Sequence, residues 1–285
     1  MAEGIYVPMF LAANITERSN HQGVDSYLMR MHSNAYVNLR EERYLSAADW
    51  DDVFFDAEQL GIRIIFIRGG EPLTRKCILE RASRYPGIFF PVITNGSMMD
   101  EQYLDFFRQN RNLIPMLSMA DSAELDVSQT GKASFAYGKT MQTMEELHGR
   151  GLIFGVVENL TRENYRRMLS SAYLSELRRK GSSIVLYAAE AGENAGTLLE
   201  EKELEEIELL AEKAQEENQG MIVAALPVTG IAMGRNIFQR EGLFEITPVG
   251  VVQPAIHRTD GTRNVRESSL TEILKDDLYW IQKRA

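Results

Sequence analysis

The stretch Arg63-Ile64-Ile65-Phe66-Ile67-Arg68-Gly69-Gly70-Glu71-Pro72 decides how this chain is read. Its apolar run is almost continuous, as expected of a strand covered by other elements on both faces. It stops at two consecutive glycines, where a ligand or another backbone can come close. Pro72 then fixes the exit into a helical stretch, Leu73–Tyr85, which Pro86-Gly87 ends. This is a strand–turn–helix unit.

The same unit recurs along the chain. Ile5–Ile15 reads as a buried strand, followed by a polar loop and helical patterns from Ser26 and over Ser46–Leu60, the latter capped by Ser46. Strands are expected at Ile88–Thr94, Leu113–Met119, Leu152–Val157, Ser183–Tyr187 and Met221–Leu226. Helices are expected at Asp100–Gln109, Ser134–Gly149, Arg162–Lys180 and Leu198–Asn218. Alternation of this kind means βαβ units and a parallel sheet. The fold class is α/β: six or seven units fit a full or partial β/α barrel, with a doubly wound sheet as its competitor. After Pro227 the texture changes. Phe238–Thr247 and Gly250–Ile256 read as an antiparallel hairpin around Pro248-Val249-Gly250, and Ser268–Lys283 as a closing helix. Residues 1–227 are therefore expected to form the barrel, and 228–285 a small extension packed on it.

The bulk composition narrows the function classes. The 285 residues are 44% hydrophobic and 25% charged, with net charge −10. Such a balance disfavours nucleic-acid and anionic-membrane binding, and no basic stripe tracks a phosphate backbone. Partners are expected to be neither nucleic acid nor membrane. The amino terminus lacks the pattern of a signal peptide, and no apolar run approaches the ~20 residues of a membrane span; a cytoplasmic location is the expectation. A single cysteine, Cys77, excludes an intramolecular disulfide and any all-cysteine metal site within one chain. Its helical neighbours mark it as a small buried hydrophobe.

In a barrel the site lies at the carboxyl ends of the strands. The candidates there are Gly69, Gly70, Glu71 and Pro72, with Asn95, Ser118 and Glu158 at later strand ends. Gly69–Pro72 reads equally well as a pocket for an amino group or as a tight turn kept for folding. Asn95, Ser118 and Glu158 could contact a ligand or serve as helix caps. The loop after the first strand contains Ser19, Gly23 and Ser26, spaced as a CxxxCxxC loop without its cysteines. His21 and Asp25 in the same loop have no dedicated ligand spacing and read as solvated.

Taken in order, several motifs resemble the radical S-adenosylmethionine (radical SAM) superfamily. They are Asn14-x-Thr16-x-Arg18, Tyr27, Gly69-Gly70-Glu71-Pro72, Thr94-Asn95-Gly96 and Thr161-Arg162-Glu163-Asn164-Tyr165. The tail, with Gly234-Arg235, Phe244-x-Ile246-x-Pro248-x-Gly250-x-x-Gln253-Pro254 and Asn264-Val265-Arg266-x-Ser268-Ser269-Leu270, resembles a SPASM- or twitch-like extension. The resemblance implies a partial (β/α)6 TIM-like barrel and a [4Fe–4S] cluster held by three cysteines. The matching positions are Ser19, Gly23 and Ser26, and the tail positions near Ile231 and Ala255 also lack cysteine. Thr130, in the loop Asp126–Ala133, falls at or next to the position where relatives carry an arginine. The expectation is therefore a degenerate, cluster-less protein. It would be a non-catalytic pseudoenzyme that pairs with an active radical SAM relative or a peptide or protein substrate. The alternative is a cluster-independent protein that binds SAM, or another small molecule, at the barrel mouth and performs only polar chemistry. No radical chemistry is expected from this chain alone.

Overall fold

The computed structural model describes residues 7–8, 10–19, 41–119, 135–190, 199–228, 243–254 and 263–275. Seven strands, β1 (Phe10–Thr16), β2 (Ile64–Gly69), β3 (Phe90–Thr94), β4 (Leu113–Ser118), β5 (Gly155–Leu160), β6 (Ile184–Glu190) and β7 (Ile222–Val228), lie side by side in chain order. Every neighbouring pair among them is parallel. A doubly wound sheet needs a point where the strand order reverses, and this order has none. With right-handed crossovers, sequential addition in one direction puts all helices on one face. The fold is thus an α/β partial barrel, the alternative that the alternation left open and the resemblance implied.

The helices between them include α1 (Ala47–Leu60), α2 (Lys76–Ala82), α3 (Glu101–Gln109), α4 (Phe135–Gly149), α5 (Tyr165–Met168), α6 (Ser171–Arg179) and α7 (Glu201–Glu217), with α8 (Leu270–Lys275) in the tail. Ser46 caps α1 in a reciprocal box: its side chain accepts from the Asp49 amide, and Asp49 accepts from the Ser46 amide. Two expectations shift. The helix drawn over Arg162–Lys180 is two helices, because Ser170 turns extended and its hydroxyl accepts from the Tyr173 amide, starting α6 afresh. The fifth strand begins at Gly155 rather than Leu152 and runs on to Leu160.

Two apolar layers follow from strand alternation. On the helix side, Leu11, Ala13, Ile65, Ile67, Val92, Leu117, Val156 and Val185 join the main core with Trp50, Phe54 and Phe107. On the inner side, Phe10, Ala12, Phe66, Ile93, Met116, Val157 and Leu186 form a second cluster that lines the curve of the sheet. The apolar run of β2 is explained by this double burial.

The tail adds to the same sheet. β8 (Leu243–Ile246) pairs parallel with β1, β9 (Val251–Pro254) returns antiparallel to β8, and β10 (Arg263–Asn264) pairs with β9. The β8–β9 turn is closed by Gly250 N–H donating to Thr247 O at 2.9 Å. Arg266 donates to the Arg43 and Tyr44 carbonyls, and Leu45 N–H to Pro248 O, so the tail is stitched to the segment before α1. Among the described residues no helix is long and apolar enough to cross a membrane.

Ser46→Ala removes one half of the α1 box. We expect a loss of about 1 kcal/mol of stability, read as a lowered denaturation midpoint with unchanged slope.

Candidate functional site

The carboxyl ends of the strands are organised by Gly69, Gly70 and Glu71. Gly70 N–H donates to Thr16 O and Glu71 N–H to Arg18 O, each at 2.8 Å, so the turn after β2 continues the ladder with the backbone that leaves β1. The glycines are required by that approach. A Cβ on Gly69, whose φ is +152°, would lie 2.2 Å from Thr16 O. One on Gly70 would lie 2.2 Å from Arg18 O and 2.7 Å from the Ser19 nitrogen. Ser19 therefore stands beside Gly70. Gly23 and Ser26 lie outside the described residues, as do His21, Asp25, Tyr27, Thr130, Gly234, Ile231 and Ala255.

Glu71 is fully buried, and its carboxylate is heavily engaged. One oxygen accepts from the Leu73 amide at 3.0 Å and from the Thr94 hydroxyl at 2.8 Å; the other accepts from the Asn95 amide at 3.0 Å. Thr94 in turn accepts from the Gly96 amide. Glu71 thus caps the single-turn helix Pro72–Arg75 and holds the end of β3 against the end of β2. A carboxylate with this many donors is a structural hub, with little capacity left to receive an amino group. Below it the Tyr103 hydroxyl donates to Leu73 O; burial first, and then the Glu71 charge, push that phenol up to about 12. Arg75 donates to the Ile15 and Leu45 carbonyls at 2.7 and 2.9 Å, fixing the exit of β1.

Alternation sorts the remaining candidates. Asn95 and Ser118 share the parity of Ile93 and Met116, so both stand on the inner face and are half-buried. The Asn95 side chain accepts from the Ser97 amide and hydroxyl at 2.9 and 2.6 Å. Glu158 shares parity with Val156 and Leu160 on the helix side instead. It is buried beneath α6, where the Tyr173 hydroxyl donates to it, and it adds to the burial that pushes the Tyr187 phenol upward. The structure does not bring Glu158 to the mouth with Gly70, Asn95 and Ser118. The inner residue at the end of β5 is Asn159, in register with Ala188.

Two more polar residues reach the inner face. Arg68 is the partner of Asn14 in the β1–β2 register, and Glu245 that of Ala12 in the β1–β8 register. Their side chains meet at 3.1 Å, both buried. The signal that would have found them was present: period-2 alternation along Ile64–Arg68 and Phe244–Ile246 puts Arg68 with Phe66, and Glu245 opposite Phe244. Cys77 was expected to be buried and is exposed. α2 turns Ile78, Leu79 and Ala82 into the core, which leaves position 77 on the outside. Among the described residues no group of His, Cys, Asp and Glu could hold a metal ion.

No family model matches the sequence. Solved structures do match the fold. Streptococcus suis SuiB bound to S-adenosylmethionine superposes with a TM-score of 0.70 at 13% identity, over 98% of this chain and 68% of SuiB. The same protein bound to its precursor peptide SuiA gives 0.70 at 15% identity, over 99% and 68%. The protein anSMEcpe with bound AdoMet and the Cp18Cys peptide gives 0.59 at 15% identity, over 94% and 80%. At these identities the likeness is one of fold, that of the radical SAM partial barrel.

Gly70→Ala drives a methyl into the Arg18 carbonyl, with backbone on both sides. We expect more than about 3 kcal/mol of destabilisation without any ligand present. Glu71→Gln halves the acceptor capacity and turns an amide N–H₂ toward existing donors. A loss of about 2–3 kcal/mol is expected; an unchanged melting temperature in either variant would return these residues to a ligand-binding role.

Proposed function

We propose that this chain is a radical SAM superfamily protein that has lost its iron–sulfur cluster and acts as a non-catalytic binding module for a peptide or protein partner. The observation that carries this reading is the donor set. A [4Fe–4S] cluster is held by thiolates. Position 19, beside Gly70, offers a hydroxyl; position 23 has no side chain; position 26 offers a second hydroxyl. The chain's one thiol sits on the outer face of α2. These residues do not fit the cluster.

Two further points support the reading. The Gly69-Gly70-Glu71 turn has a folding role of its own, which lets it persist after the chemistry is gone. SuiB and anSMEcpe were both solved with peptides bound, which makes a peptide the favoured occupant of the same fold here. On this reading residues 1–227 form the barrel and 228–285 a reduced SPASM- or twitch-like extension, with the β8–β9 hairpin as its core. An active radical SAM relative is a candidate protein partner.

A second reading has its own support. SuiB and anSMEcpe were also solved with S-adenosylmethionine bound, and Gly70, Asn95 and Ser118 share one rim. SAM held there without a cluster would be bound as an intact ligand, for sensing or for polar chemistry.

Two measurements separate the readings. After anaerobic reconstitution with iron and sulfide, no iron–sulfur absorbance band and no cleavage of SAM to 5′-deoxyadenosine are expected; either one sinks the cluster-less reading. Calorimetry with SAM and S-adenosylhomocysteine at millimolar ligand tests the second. Heat with either would favour it, and silence would leave the peptide reading alone.

A further inference from the structure

The inner-face polar cluster at the β1–β2–β8 corner has a composition that packing alone does not explain. Asn14 Nδ2 donates to a Glu17 carboxylate oxygen at 3.1 Å, which sets the amide orientation and leaves Asn14 Oδ1 pointing elsewhere. That oxygen is buried, in a residue 4% exposed, and it has no hydrogen-bond partner. Next to it stand Arg68 and Glu245, paired at 3.1 Å, and Gln253, whose amide donates to Glu245 at 3.2 Å. Asn14 Nδ2 and Gln253 Nε2 each donate once, to a carboxylate. From Asn14 and Glu17 the buried Oδ1 and the second carboxylate oxygen remain as acceptors. Glu17 is only half-buried, so it marks the open side of the cluster.

We propose that Asn14 and Glu17, backed by the Arg68–Glu245 pair, form a subsite for a primary ammonium group, with the lysine side chain of a bound peptide as its source. A buried carbonyl oxygen without a donor costs free energy that a ligand N–H would return. An ammonium has three donors and no acceptor, which suits a carboxamide oxygen and a carboxylate together. The net charge of −10 raises the local concentration of cations at the surface. The electrostatics of Glu17 agree. Burial holds its carboxyl above the ordinary range, the Asn14 amide opposes this, Glu245 reinforces it and Arg68 opposes it. A cation alongside would relieve the desolvated carboxylate. The peptide as source of the ammonium rests on the function proposed above; the acceptor cluster does not.

The experiment uses the full chain, labelled at its alanine methyls, with Ala12 as the reporter inside the cluster. Four probes are titrated: ethylammonium, ethanol, acetyl-Gly-Lys-Gly-amide and the neutral acetyl-Gly-norleucine-Gly-amide. Saturable shifts with ethylammonium and the lysine peptide, and none with the two neutral probes, are expected. Glu17→Gln, whose thermal transition confirms folding, should weaken both cationic probes about fivefold to tenfold. Equal response to ethanol or to the norleucine peptide would mean a hydration site and overturn the proposal, as would silence from every probe. A response to ethylammonium without the lysine peptide would overturn the peptide source. None of these results depends on cluster reconstitution, so the two proposals fail separately.

Discussion

The carboxylate of Glu71 is the point on which the barrel mouth depends. It is buried, so each oxygen must be matched by donors or its desolvation goes uncompensated. The donors come from three places: the turn that follows it, the Thr94 hydroxyl and the Asn95 amide at the end of β3. Its own amide donates to Arg18, in the backbone leaving β1. One residue thus ties together the ends of three adjacent strands. Gly69 and Gly70 are the steric condition for that tie, since any side chain would push the β1 exit away.

The same hub explains why the turn carries two meanings in sequence. A Gly-Gly-Glu-Pro run that serves a ligand and one that serves the fold look alike, because both need backbone to approach backbone. Only the partners of the carboxylate distinguish them. Here the close approach comes from Thr16–Ser19, within the chain itself. That gives the motif a physical reason to be retained whatever fills the mouth.

Legibility followed the strength of the periodic signal. The long apolar strands and their helices were readable, because burial on two faces demands an unbroken run. The choice between a partial barrel and a doubly wound sheet was not, since strand order leaves no mark on local pattern. Within the site, Asn95, Ser118 and Glu158 were all readable as strand-end residues, but the face each one takes was not. For Glu158 the reason is the strand boundary. With β5 drawn as Leu152–Val157, Glu158 is the first residue past its end; with the strand running to Leu160, Glu158 is inside it and turned toward the helices. A one-residue step along a strand exchanges the two faces, so Asn159 takes the inner position. Cys77 failed for a related reason: a short helix has few apolar positions, and its orientation was decided by Ile78 and Leu79.

The Arg68–Glu245 pair bears on what the inner face is for. Taking two charges out of water costs several kcal/mol per ion before their attraction is counted, and apolar residues of similar volume often do as well or better. The corner already has apolar neighbours in Phe10, Ala12 and Phe66, so a purely hydrophobic solution lay close at hand. An ionic solution adds direction. It fixes the tail strand β8 in one register against β1 and β2, because a slip by one residue would carry Glu245 to the helix side and strand Arg68 inside. It also leaves a polar interior where the tail strand β8 joins β1. A sheet built only for stability would be dry there; this one keeps charge, a carboxamide oxygen and a half-buried carboxylate within the same corner.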